Sequence, residues 1–192
     1  MERIFIQAPS GTGKTTLIHL LYGLRTDYTG SIMWDSTTLE KPAEGSNANT
    51  SPAHQEWLAN LRSTKLSIIF QDLRIFPQLT AWENLDIKRK LTNTITAAEA
   101  ESWMQRLGIG DKMKMPGYTL SYGEQQRLVI IRALLQPFSW LLMDEPFSHL
   151  DLNNTAIAAA LIQEVADRNK ASFILADLDE NSHFPYTKNL HL

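Results

Sequence analysis

The chain has 192 residues, of which 43% are apolar and 20% charged, with a formal net charge of −3. That composition supports one domain with a substantial core and excludes a disordered chain. Without a basic block, nucleic acid is not the expected partner. There are no cysteines, which excludes disulfides, thiolate metal sites and a cysteine nucleophile and suits a reducing compartment. The N-terminus lacks the long apolar region of a signal peptide, and no run of apolar residues is long enough to cross a membrane, so the chain is expected to be cytoplasmic.

In chain order, Arg3 to Gln7 reads as a buried strand running into a glycine loop, and Lys14 to Tyr22 as a helix that stops at Gly23. Lys41 to Pro52, rich in Pro, Gly, Ser and Asn, is the most loop-like stretch. Leu66 to Phe70 reads as a second core strand. The middle is helical. Thr96-Ala-Ala-Glu99 has the capping-box pattern ahead of a helix that closes at Gly108, and Ser121-Tyr-Gly-Glu124 has the same pattern ahead of a helix running to about Leu135. Trp140 to Met143 is a predicted strand, Thr155 to Asp167 a helix, and Ser172 to Ala176 a last core strand. Strands alternating with helices predict an α/β fold with a mainly parallel sheet and a helical insertion over roughly residues 77–135. No internal repeat is present.

The first chemical signal is Ala8-Pro-Ser-Gly-Thr-Gly-Lys-Thr15, a phosphate-binding loop in which Ala8 replaces the first glycine. Backbone N–H groups of such a loop, opening a helix, converge on a phosphate. Pro9, Ser10, Gly11, Thr12, Gly13, Lys14, Thr15 and Thr16 are the expected nucleotide contacts. Lys14 would serve the β- and γ-phosphates, Thr15 a magnesium ion and Thr16 the α-phosphate. The second signal is the apolar run Trp140 to Met143 ending in Asp144 and Glu145. At the carboxyl end of a parallel strand these acids would lie beside the loop. Asp144 would hold Mg²⁺ through water and Glu145 would act as general base.

Four ordered motifs then resemble one family. Leu120-Ser-Tyr-Gly-Glu-Gln-Gln-Arg127 resembles the signature of ABC ATPases, commonly L-S-G-G-[QE]-Q-Q-R. Asp144-Glu-Pro-Phe-Ser-His-Leu-Asp151 is similar to the acidic motif and D-loop of that family. Ile69-Phe-Gln71-Asp is similar to its Q-loop. Leu79-Thr-Ala-Trp-Glu-Asn-Leu85 resembles the segment that follows in cassettes of the lipoprotein-export, cell-division and macrolide-export type.

The resemblance implies a single P-loop NTPase cassette, residues 1–192, that binds ATP and Mg²⁺. It also implies a head-to-tail dimer, a homodimer or a cassette pair, in which Ser121, Tyr122, Gly123 and Glu124 face the partner's ATP. Gln71 would touch Mg²⁺ or the attacking water, and Asp151 would organise the dimer contact. A membrane permease would dock near Gln71, which would put the chain on the inner face of the cell membrane, with membrane contact only through the permease. Two other readings fit the same motifs: an ATP-dependent dimerisation switch with little hydrolysis, and a soluble ABC ATPase outside transport. The transported substrate is not encoded in such a subunit.

Besides Ala8, the chain departs from the pattern in three places. Tyr122 replaces a glycine of the signature. In Ile174-Leu-Ala176-Asp-Leu-Asp-Glu180, Ala176 is expected where the family carries a phosphate-contacting histidine, which would slow hydrolysis. Only seven residues precede Ala8, so the N-terminal antiparallel strands and their adenine-stacking aromatic are expected to be largely missing. His19, His54, His149, His183 and His191 show no metal-ligand spacing and are expected to be structural or exposed, with His149 a remote substitute for the missing histidine. The five tryptophans, spread singly, are expected to be core or interface residues.

Overall fold

A computed structural model of the chain describes residues 1–25, 27–34, 37–39, 52–178 and 182–192. Its main sheet has five parallel strands: β1 (Arg3–Gln7), β4 (Leu66–Ile69), β5 (Trp140–Asp144), β6 (Ser172–Asp177) and β7 (Lys188–His191), in the order β4-β5-β6-β1-β7. A separate antiparallel pair, β2 (Ile32–Trp34) with β3 (Thr37–Leu39), is the other sheet among the described residues. Most of the predicted loop 41–52 lies outside the described residues. Its last residue, Pro52, opens α2 (Pro52–Thr64), a helix that the sequence reading did not anticipate.

Helices cover both faces of the sheet, and the inner strands are apolar in consecutive positions because they are buried on both sides. Successive side chains alternate between the faces. Ile6, Leu142, Ile174 and Ala176 pack with Ile18 of α1 (Lys14–Leu21) in the smaller core cluster. Phe5, Leu141, Met143, Phe173 and Leu175 join the larger cluster with α3 (Ala81–Thr92), α4 (Ala97–Arg106), α5 (Tyr122–Leu134) and α6 (Leu152–Arg168). Trp103 is buried in that cluster and Trp82 packs on it. Trp34 and Trp140 meet edge-on with ring centroids 5.8 Å apart, so these four tryptophans serve packing.

Local rules set the helix ends, with one instructive exception. Ser121 and Glu124 form both halves of the predicted capping box at α5. At α4 only half of the predicted box forms. The Thr96 hydroxyl accepts from the Glu99 N–H, but the Glu99 carboxylate turns away to pair with Arg168. Helix α6 begins at Leu152, three residues before its predicted start, because Asp151 caps it by accepting from the Asn154 N–H at 2.7 Å. Strand β7 is exposed at every position, and its ladder with β1 comes from main-chain hydrogen bonds, which leave no apolar signal to read.

Candidate functional site

The site gathers at the carboxyl ends of β1, β5 and β6. Strand β1 delivers Ala8, whose N–H donates to the Asp177 carbonyl at 3.2 Å and whose side chain is fully buried. Ala8 is not among the positive-φ residues, so this position does not require glycine. Gly11 (φ 81°) and Gly13 (φ 106°) do lie in the left-handed region, where a side chain would be strained. Gly13 caps α1 without any side-chain hydrogen bond, so the first-turn N–H groups at Lys14, Thr15 and Thr16 are left for a ligand.

A cavity of about 220 Å³ opens over the loop, bounded by Ser10, Gly11, Gly13, Lys14, Thr15 and Thr16 with Gln71 and Glu145 opposite. Lys14 is 4% exposed, and its ammonium donates to the Ala8 and Pro9 carbonyls at 2.8 and 3.1 Å, with a Glu145 oxygen at 3.5 Å. The Thr12 hydroxyl turns back onto the Pro9 carbonyl at 2.7 Å. Pro9 and Thr12 therefore shape the loop and do not line the cavity.

The two acids at the end of β5 have opposite surroundings. Glu145 sits at φ 47°, a conformation that costs a non-glycine residue about 1–3 kcal/mol and is maintained only when the surroundings impose it. They do: the Glu145 N–H donates to the Ala176 carbonyl at 2.9 Å, and the buried Gln126 amide donates to the Glu145 carbonyl at 3.2 Å. The Glu145 carboxylate accepts from the Gln71 amide at 3.0 Å, and the Gln71 carbonyl oxygen accepts from the Thr15 hydroxyl at 3.3 Å.

Asp144 is completely buried, and neither carboxylate oxygen has a hydrogen-bond partner. Burial pushes its carboxyl above the ordinary range. The nearby Thr15 hydroxyl offsets this only partly, since its proton is committed to Gln71. An unpartnered carboxylate beside a hydroxyl and an amide carbonyl fits a hard cation, for which oxygen is the preferred ligand. Among the described residues no three His, Asp or Glu side chains gather as a metal site.

The signature segment and the D-loop meet on a second cavity. It holds about 350 Å³, adjoins the first at Thr15 and Gln71, and is lined further by His19, Asp72, Tyr122, Asp144 and His149. Of the signature residues only Tyr122 reaches it. Ser121 and Glu124 are occupied in capping each other. Gly123 is demanded by packing: a Cβ there would lie 2.8 Å from the His149 carbonyl oxygen. Asp151 lines neither cavity, and the Asn154 N–H it accepts holds its carboxyl below the ordinary range. His19 and Asp72 were missed by the sequence reading. His19 was legible, since it lies four residues after Thr15 on the same helix face.

One expectation needs correcting. Ala176 does not stand where a side chain could meet a phosphate. Its Cβ points into the apolar cluster of Ile6, Ile18, Leu142 and Ile174, and at this end of β6 exposure begins only at Asp177. An Ala176→His substitution is therefore expected to overpack that cluster at a cost of about 1–3 kcal/mol and to give no gain in ATP turnover. Urea unfolding alongside a turnover assay checks this, and faster turnover would contradict it.

This parallel α/β sheet, with a glycine loop after β1 and acids at the end of β5, is a P-loop NTPase fold. Residues 1–148 match the ABC transporter family model. The chain is 33% identical over 178 residues to the lipoprotein-releasing system ATP-binding protein LolD of Buchnera aphidicola subsp. Schizaphis graminum, covering 91% of this chain and 73% of that one. It is 29% identical to LolD of Shewanella denitrificans over 94% of this chain and 74% of that one. A dimeric bacterial ABC transporter cassette superposes with a TM-score of 0.76 at 22% identity, over 93% of this chain and 75% of that one. The chain belongs to the ABC transporter family.

Proposed function

We propose that the protein is the ATP-binding and ATP-hydrolysing subunit of an ABC transporter. The observation that carries the reading is Asp144, a buried carboxylate without partners, set beside a loop of free N–H groups and beside a glutamate fixed in a strained conformation. A nucleotide's β- and γ-phosphates take the N–H groups of Gly11 and of residues 13 to 16, and the Lys14 ammonium turns from the Ala8 and Pro9 carbonyls to the phosphate oxygens. Thr15 and Gln71, with Asp144 through water, are the residues that would hold Mg²⁺. The bound ion supplies neutralisation of charge on the β- and γ-phosphates.

Glu145 orients a water and accepts its proton as the water oxygen bonds to the terminal phosphorus. The bond to the bridging oxygen breaks and ADP leaves. Gln71 holds the Glu145 carboxylate at 3.0 Å and so sets where that proton goes.

The chain works in this reading as a two-fold dimer, with the segment Ser121 to Glu124 facing the partner's ATP through the Tyr122 and Gly123 N–H groups that the capping box leaves free, and Asp151 at the contact. We take residues 1–192 as one cassette with a helical insertion at about 77–135. A membrane permease fits the groove of about 300 Å³ between β4, α3 and α5, whose walls include Phe70, Ile87 and the exposed Phe76 and Leu91. No helix among the described residues is long and apolar enough to cross a membrane, so the permease would be a separate segment or chain.

Mg²⁺-dependent ATP turnover by the purified chain tests the reading, beside Lys14→Ala. That variant is expected to lose about 10- to 150-fold in ATP affinity, the worth of a hydrogen bond to a charged group. Unaltered affinity would refute the phosphate-loop assignment, and absence of turnover in the parent would refute hydrolysis.

A further inference from the structure

Two side chains are not used by the reading above: Tyr122, which stands where the signature commonly carries glycine, and His149 in the segment that resembles the D-loop. Both are exposed, and their rings meet edge-on with centroids 4.4 Å apart. Both line the cavity onto which Asp144 and Thr15 also open.

The pair is held by the network that fixes the acids. The Gln126 carbonyl oxygen accepts from the His149 N–H at 2.8 Å. Its amide donates to the Glu145 carbonyl and the Ser148 hydroxyl at 3.2 and 3.3 Å. The close approach of Gly123 to the His149 carbonyl locks the start of α5 against the same loop. The pair thus lines the same cavity as a buried carboxylate that has no partner.

We propose that Tyr122 and His149 form the outer wall of the cation pocket in the same chain, where the phenol and imidazole order the water around the ion held at Asp144, Thr15 and Gln71. This rests on the assignment of those three residues to Mg²⁺. A hydroxyl and an imidazole each donate and accept hydrogen bonds, which suits contact with the ion's water. The signature segment then has two separate uses: its free N–H groups at Tyr122 and Gly123 face a partner's nucleotide, while the Tyr122 side chain closes the cation pocket of its own chain.

The test is the binding of methylanthraniloyl-ATP in EDTA and across a Mg²⁺ titration, for the parent, Tyr122→Gly, His149→Ala and Asp144→Asn. Melting curves confirm that the exposed replacements fold. His149→Ala is expected to keep the EDTA affinity within about twofold, and both His149→Ala and Tyr122→Gly to raise the Mg²⁺ midpoint by about tenfold or more, as loss of outer-sphere partners does elsewhere. A midpoint unchanged in both, with a shifted midpoint in Asp144→Asn, overturns the proposal and leaves the cation assignment standing. A midpoint unchanged in Asp144→Asn as well overturns both. Affinity already lost in EDTA would mean that the pair touches the nucleotide itself, which also overturns the proposal.

Discussion

Replacing Glu145 with glutamine is expected to lower ATP turnover by about 10²–10⁴-fold, the usual worth of a positioned general base. The substitution is close to isosteric and keeps the main chain that holds φ at 47° through the Ala176 and Gln126 contacts. The Gln71 amide, now 3.0 Å from a carboxylate oxygen, can donate to the new amide oxygen as well. What disappears is the ability to accept a proton, together with one negative charge beside the place where phosphate charge accumulates. Nucleotide affinity should therefore hold or rise, and ATP should accumulate uncleaved in a dimer. Single-turnover kinetics with light scattering in ATP would check both halves. Turnover close to that of the parent would remove Glu145 from the mechanism.

The second large effect concerns Asp144→Asn, which is expected to stabilise the ligand-free chain at neutral pH while removing its response to Mg²⁺. Burial raises the carboxyl of Asp144 above the ordinary range, so the folded chain binds this proton more tightly than the unfolded chain. The stability linked to Asp144 is then fully present below the unfolded value and is lost as pH rises through the raised folded value. Above that raised value the ionised, unpartnered group costs about 1–3 kcal/mol, and the neutral amide relieves much of it. For a domain of this size each kcal/mol moves the melting temperature by about 2–4 °C. Melting from acid to neutral pH, with ATP alone and with Mg²⁺-ATP, tests this. The parent should lose stability as pH rises and regain it with Mg²⁺-ATP, whereas the variant should do neither. A variant less stable than the parent at neutral pH would contradict the account.

Both predictions turn on residues that could be read from the chain, because each motif is contiguous. Lys14 and Thr15 follow their glycines directly, and Asp144 and Glu145 end an apolar strand. A strand–loop–helix passage is a local event, so residue order alone carries it. The helix caps at Thr96 and Ser121 were legible for the same reason, and even there the tertiary partner Arg168 took the Glu99 carboxylate that local pattern had assigned to the cap. Strand β7 and the β2–β3 pair were not legible: β7 has one apolar residue in four, and β2 and β3 have three residues each, too few to show a period. Helix α2 was legible, since Trp57, Leu58 and Leu61 have helical spacing.

By itself the sequence determined the class of fold, the phosphate loop, the acid pair and the family. These depend on short-range chemistry in which neighbours along the chain are neighbours in space. Only the tertiary structure decided which way the side chains of this site face. It turned Ala176 into the apolar cluster, left Asp144 buried without a partner, and brought Tyr122 and His149 to the same cavity as Thr15, across more than 100 residues of sequence. The physical reason is that direction at the ends of parallel strands is set by strand pairing and by helix packing on both faces. Those constraints come from segments far apart in the chain.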